Sequence, residues 1–269
     1  MTQPLKPLGL SAYAHCFFGV LSREYLRFIQ QRTRFFSALI RPLLWLVVFA
    51  AGFRAALGIA IIEPYETYIT YEVYIAPGLC CMILLFNGMQ SSLSMVYDRE
   101  MGSMRVLLMS PLPRWYLLLC KLFSIAIVSL LQVYAFLAIA LLVEVEPPLM
   151  GYLAVLPALV LVALMLGAIG LFISSKIKQL ENFAGVMNFV IFPMFFLSSA
   201  LYPLWKMQEA SEWLYWICSV NPFTHAVELV RHALYLKLDT ESLLITAATT
   251  LVFSCFAVTG FKPQRGGRG

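Results

Sequence analysis

Six long apolar runs, at 36–57, 73–96, 115–143, 151–173, 183–204 and 243–260, constrain this chain more than any other feature. A bilayer crossing takes about 20 mostly apolar residues as an α-helix, and inside hydrocarbon each backbone N–H and C=O must find its partner within the protein. The runs therefore predict an all-α fold: a polytopic membrane protein with six transmembrane helices, the sixth the shortest. A hydrophobic share of 61%, a charged share of 12% and a mean hydropathy of +0.82 fall outside the range of ordinary soluble domains. Few of the 269 residues are left over, so no separate soluble catalytic domain fits.

The first strong apolar run starts only near Phe36, too far along for the core of a secretory signal peptide, and is expected to stay as an anchor. Basic residues then set the orientation. On one side lie 15 of the 19 Lys and Arg: Lys6, Arg23, Arg27, Arg32, Arg34 and Arg41 at the first run, Arg99, Arg105, Arg114 and Lys121 after the second, Lys176 and Lys178 after the fourth, and Lys262, Arg265 and Arg268 after the sixth. Cytoplasmic loops carry the Lys and Arg excess, so both termini are expected in the cytoplasm. Of the six cysteines only Cys218 falls in a long exterior segment, which favours buried thiols over a disulfide framework.

Between the runs, two segments have their own character. From about 10 to 35, Phe18, Leu21, Tyr25 and Phe28 recur at helical spacing while Arg23, Arg27, Gln30 and Arg34 take another face. This is either an amphipathic helix on the cytoplasmic membrane surface or a plain basic flank. The segment 207–238 is too polar to span and, with Trp213, Tyr215 and Trp216, too aromatic for a free loop. Its Asn221-Pro222 pair supplies a helix cap and a first-turn proline, predicting two short helices that dip into the outer leaflet and return. Pro42 is expected at the start of the first span, Gly167 and Gly170 allow close helix approach, and Pro193 is expected to kink the fifth span, as a static bend or as part of a gate. No internal repeat is evident.

Nothing in the chain supplies energy for transport. The Gly-x-x-x-x-Gly-Lys-Ser/Thr string that cradles phosphates does not occur. The acidic and basic relays of ion-driven carriers are missing from the span centres, whose polar residues are Asn87, Gln90, Gln132, Asn188, Ser198 and Ser199. Arg41, Arg54 and Lys121 lie near span ends, free to snorkel. Energy would have to come from another chain, and the polar island from Tyr97 to Lys121 offers it a way in. Asp98 to Met109 can form a short helix with Asp98 and Glu100 at its positive end, stopped by Pro111 and Pro113. Met101, Met104 and Leu108 share a face suited to a partner's groove, although an ordinary interfacial loop fits the same residues. His225, Glu228 and His232 also share a helical face and could form a metal set. Pairing of Glu228 with Arg231 or His232 along the helix is the stronger reading, and no metal is expected.

Three stretches together carry a resemblance: Ile75-Ala-Pro-Gly-Leu79, Glu100-x-Gly-Ser-x-x-x-Leu-Leu-x-Ser-Pro-Leu-Pro-Arg114 with Lys121 beyond it, and Asn221-Pro-Phe-Thr-His-Ala-Val-Glu-Leu-Val-Arg231. The chain resembles the type-2 ABC exporter permeases, the membrane subunits of lipo-oligosaccharide, polysaccharide and drug exporters. The resemblance covers nearly its whole length. It implies a cytoplasmic N-terminal helix over 1–35, a permease domain over 36–260 and a cytoplasmic tail over 261–269, placed in the cytoplasmic (inner) membrane. It implies two permeases on two ABC ATPase subunits in contact with membrane lipid, with no nucleic acid. ATP and Mg belong to the ATPase, so this chain binds no cofactor and is not itself an enzyme. The segment 97–114 becomes the coupling helix, with Asp98, Glu100, Met101, Gly102, Met104, Leu108, Ser110 and Pro111 facing the ATPase, and 207–238 becomes the exterior re-entrant element, with Asn221, Pro222, Glu228 and Arg231. An amphipathic substrate would pass Trp45, Phe49, Asn87, Gln90, Asn188, Phe192, Phe195 and Phe196. The rivals from other classes are a membrane-embedded metal enzyme using His225, Glu228 and His232, and a non-transporting membrane scaffold.

Overall fold

A computed structural model describes residues 10–30, 32–53, 63–65, 69–101, 112–143, 145–177 and 180–260. The described residues form helices, as expected: α1 (Leu10–Gln30), α2 (Arg32–Phe53), α3 (Tyr71–Glu100), α4 (Arg114–Ala140), α5 (Gly151–Lys176), α6 (Leu180–Phe196), α7 (Leu204–Ala210), α8 (Glu212–Val220), α9 (Pro222–Leu234) and α10 (Thr240–Gly260). Four are long and apolar enough to cross a membrane, at Tyr71–Asp98, Arg114–Val143, Gly151–Lys176 and Thr240–Gly260. The apolar cores of α2 and α6 are shorter, at Leu39–Val48 and Gly185–Phe196.

The bundle is built outward from α3. Of its most apolar stretch 78% is buried, against 11% for α10, which leaves most of its surface outside the bundle. Around α3 lie α2, α4, α5, α6 and α9, with α10 leaning on α5. Small residues permit a close crossing between α3 and α5: the Gly88 backbone lies against Leu166 and Gly167, and a Cβ at Gly170 would strike Ser92 Oγ and the Gly88 carbonyl. Close approach replaces the hydrophobic driving force that lipid removes, as the Gly167 and Gly170 spacing suggested.

Three expectations need correction. Pro42 does not open a span but lies inside α2; a membrane helix tolerates the lost N–H where neighbours satisfy the freed backbone. The fifth helix stops at Phe196 rather than 204. Beyond it the chain turns because its polar backbone groups find partners elsewhere: the Tyr74 hydroxyl donates to the Ser199 carbonyl at 3.0 Å and the Tyr71 hydroxyl to that of Leu201 at 2.8 Å. Ser198 turns its hydroxyl onto the Phe195 carbonyl at 2.6 Å, a local bond that competes with helix continuation. The segment expected to hold two short helices holds three, α7, α8 and α9, because Ser211 adopts extended backbone and separates α7 from α8. Charge keeps to the ends of the spans, yet it is buried there: Glu72 and Asp98 lie at the two ends of α3 and Lys121 in the early turns of α4, while Arg231 is buried on α9.

Candidate functional site

Helices α2, α3 and α6 enclose an aromatic cleft of about 170 Å³. Spacing by one helical turn builds it: Arg41 and Trp45 on α2, Met82 and Phe86 on α3, and Asn188, Phe192, Phe195 and Phe196 with Ile191 on α6. Trp45 sits 5.8 Å from Phe196 and 6.3 Å from Phe195, both in edge-to-face geometry, and Phe192 stacks on Phe196 at 6.1 Å. Such offset and edge contacts suit the ring quadrupoles. Phe195 is buried and braces the wall from behind through Phe223 of α9, at 6.2 Å. The guanidinium of Arg41 lies over the Phe86 ring, 3.9 Å from its centre.

Five of the eight expected path residues therefore meet here: Trp45, Asn188, Phe192, Phe195 and Phe196. Asn87 does not. Its amide donates to Gln132 of α4, and it belongs to a separate polar cavity of about 40 Å³ with Glu24, Phe28, Ser91, Ser124 and Ser129. Gln90 lines neither cleft, and the side chain of Phe49 lies outside the described residues. Arg41, Met82 and Phe86 were missed as lining residues, although the one-turn spacing of Arg41 before Trp45 placed both on one face.

At the other functional region, α3 runs through Glu100 and the Met101 N–H still bonds the Tyr97 carbonyl at 2.9 Å. Asp98 and Glu100 thus lie in the last turn of a long helix, not at the positive end of a new one. The buried Asp98 faces Arg23 of α1 at 3.7 Å. Helix α1 is also fixed to α4, where the Tyr116 hydroxyl donates to the Tyr13 carbonyl at 2.7 Å and the two rings meet edge-to-face at 4.9 Å. The helix thereby spans the two helix ends that flank 102–111. Glu100 and Met101 are exposed; Gly102, Met104, Leu108, Ser110 and Pro111 lie outside the described residues. Away from α4, α1 exposes Phe18, Tyr25, Leu26 and Ile29 as an apolar stripe.

Helix α9 carries the exterior set. Asn221 serves two helices: its side-chain oxygen accepts the Phe223 N–H at 3.0 Å, while its amide donates to the Met194 and Leu197 carbonyls at 2.9 and 2.6 Å. One side chain thus caps the start of α9 and satisfies carbonyls that the end of α6 leaves open. Pro222 takes the first helical position. Arg231 pairs with Glu228, donates to the Ser199 carbonyl at 2.9 Å and to the Tyr74 carbonyl at 3.5 Å, and lies 4.1 Å above the Tyr74 ring. Burial alone would lower its pKa, but Glu228, with Tyr74 and Tyr65, holds it above the ordinary value. The metal set does not assemble. His225 donates to the Ser219 carbonyl at 2.9 Å, His232 turns Nδ1 onto the Glu228 carbonyl at 2.9 Å, and Glu228 is engaged by Arg231. Among the described residues no three His, Cys, Asp or Glu converge as metal ligands.

Comparison with known proteins places this architecture. Residues 15–235 match the family described as ABC-2 type transporter. A protein named transport permease ycf38 in Cyanophora paradoxa is 26% identical over 217 residues, covering 80% of this chain and 72% of its own, and its counterpart in Porphyra purpurea is 27% identical over the same shares. The multidrug ABC transporter permease YbhR of Escherichia coli K12 is 32% identical over 176 residues, covering 64% of this chain and 46% of its own. A family match over most of the length, on an all-helical frame with several apolar helices, identifies the chain as a member of the ABC-2 type transporter family, a membrane permease whose family works with an ABC ATPase.

Proposed function

We propose that this chain is the permease subunit of an ATP-driven exporter that moves an amphipathic molecule, a lipid-linked saccharide, lipid-like metabolite or drug, out across the cytoplasmic membrane. Two copies would stand on two ATPase subunits, with both termini in the cytoplasm. The observation that carries the reading is the aromatic cleft between α2, α3 and α6: it offers apolar ring surface, a small polar group and a cation, the surface an amphipath needs. The chain itself supplies no phosphate cradle, so ATP chemistry belongs to the partner. Closure of the ATPase pair would press on 102–111, and α1, fixed to α3 through Asp98 and to α4 through Tyr116, would make the three helix ends move as one. Helix α3 then carries that movement to the cleft, since Met82 and Phe86 lie on it. The multidrug relative is compatible with aromatic, loosely selective walls.

Co-expression with its ATPase and reconstitution in proteoliposomes provide the test. The expected result is a stoichiometric complex with ATP-dependent transport, in which Glu100→Lys or Met104→Pro leaves ATP hydrolysis and assembly in place but cuts transport per ATP by about tenfold, the size of an ordinary coupling free energy. Undiminished transport by both variants would remove the coupling assignment, and reproducible absence of an ATPase partner would favour a scaffold.

A further inference from the structure

Arg41 stands at one end of the aromatic cleft in an arrangement suited to holding an anion. Its guanidinium carbon is 3.9 Å from the centre of the Phe86 ring. A cation on a ring uses the face of the guanidinium, which leaves its N–H fork, the part that matches carboxylate and phosphate in two-point fashion. Arg41 is exposed, and among the described residues no acidic side chain or carbonyl occupies that fork, whereas the buried Arg231 has Glu228 and two carbonyls and the half-buried Arg23 has Asp98 and Glu24. Asn188, the cleft's other polar group, adds an amide.

The remaining walls form a polarity gradient. One turn along α2 from Arg41 is Trp45, which meets Phe195 and Phe196, and one turn along α3 from Phe86 is Met82. Charge lies at one end and rings at the other, the pattern of an amphipath with an acidic head. Phe192 and Phe196 are about half exposed, at 51% and 41%, so the cleft is open along α6, a side from which a membrane-dissolved molecule could enter. Its 170 Å³ is close to the cavity of about 150 Å³ that admits one benzene. That space matches a single ring or a stretch of one chain.

We propose that Arg41 and the cleft of α2, α3 and α6 bind the acidic head of a single-chain or single-ring amphipathic anion, a phosphate monoester or carboxylate, and that Arg41 sets this preference. The word cargo for that molecule rests on the exporter reading; the binding site does not.

The test uses the full chain, with its ATPase where the two co-purify, in phosphatidylcholine nanodiscs. The probes are 12-bromododecyl phosphate, 12-bromododecanol and the matching bromododecyl trimethylammonium, whose bromine quenches nearby indoles. The phosphate probe is expected to bind roughly tenfold or more tightly than the alcohol, as one charge-assisted bond allows, with the ammonium weakest, and Trp45→Phe should remove most of the quenching. Arg41→Gln should erase the gap between phosphate and alcohol while leaving alcohol binding intact, and Arg41→Lys should restore part of it. The proposal is overturned if Arg41→Gln keeps the gap, if no probe binds, if quenching persists in Trp45→Phe, or if phosphatidylglycerol nanodiscs abolish phosphate binding, which would make the site a headgroup contact. Anion-selective binding without ATP-driven export would leave the site standing and remove the exporter; export without an Arg41-dependent gap would do the reverse.

Discussion

Replacing Arg231 by methionine is expected to destabilise the protein by about 3 kcal/mol, near the lower end of the range for breaking a buried pair from one side. The lower end applies because Glu228 keeps 20% of its side chain exposed, whereas Arg231 keeps 2%. Methionine fills much of the space but leaves Glu228, the Ser199 carbonyl and the Tyr74 carbonyl without the donor they now share. Those three acceptors belong to three elements: α9, the turn after α6, and α3. Arg231→Lys should rescue little, since one ammonium cannot bond all three acceptors while lying over the Tyr74 ring. Glu228→Gln should cost less than Arg231→Met, because a neutral amide can still accept from the guanidinium. Thermal unfolding of the detergent-solubilised protein, followed by fluorescence-detected size exclusion, checks the order Met, Lys, Gln from worst to mildest. An Arg231→Met protein that unfolds with the native one would show that the pair contributes no rigidity.

The site of that prediction was not legible in the sequence. Arg231 could be read only as one of few basic residues on the exterior side, and its pairing with Glu228 followed from i, i+3 spacing; its burial did not, because the acceptors at Ser199 and Tyr74 lie 32 and 157 positions away in sequence. The early stop of α6 has the same cause. Apolar composition over 183–204 favours a continuing helix, and only tertiary donors to the Ser199 and Leu201 carbonyls, the hydroxyls of Tyr74 and Tyr71, make the turn cheaper. Local chemistry was readable wherever it decides the outcome by itself, as at Asn221-Pro222, where cap and first-turn proline fall as expected, and at Gly167 and Gly170 on the α3 crossing. In the cleft, the resemblance named Asn188, Phe192 and Phe196 as path positions, and the structure keeps them together on α6. Rotation about a helix axis is what spacing leaves open: Asn87, next to Phe86 in sequence, turns to Gln132 instead. Arg41 was assigned to snorkelling because its partner, a ring on another helix, has no signature in sequence.

Gly78→Ala is expected to be a strongly damaging single-methyl addition at the centre of the bundle. An alanine Cβ at this position would lie 2.5 Å from the Ala200 carbonyl oxygen, 2.8 Å from its Cα and 2.9 Å from its Cβ. Two of those atoms are backbone, so no side-chain rotation relieves the contact; either α3 or the turn after α6 must shift. The turn resists, being held by the hydroxyls of Tyr71 and Tyr74 and by Arg231. Overpacking ordinarily costs about 1–3 kcal/mol, and breaking one of those bonds to relieve it adds about 1 kcal/mol, so a loss of roughly 3 kcal/mol is expected. Gly185→Ala supplies the opposite sign. Its Cβ would meet nothing within 4 Å inside α6, and the change should stabilise by about 0.5–1 kcal/mol through lower backbone entropy in the unfolded chain. The two variants add the same atom to the same residue type, so a difference in melting temperature of opposite sign isolates the contact from the chemistry. A Gly78→Ala protein that melts with or above the native one would mean that α3 and the turn are not in register there. The consequence reaches the cleft, because the turn fixes the end of α6 that carries Phe195 and Phe196: a Gly78→Ala protein that does fold should show weakened quenching of Trp45 by a bromoalkyl probe, although no cleft residue has been touched.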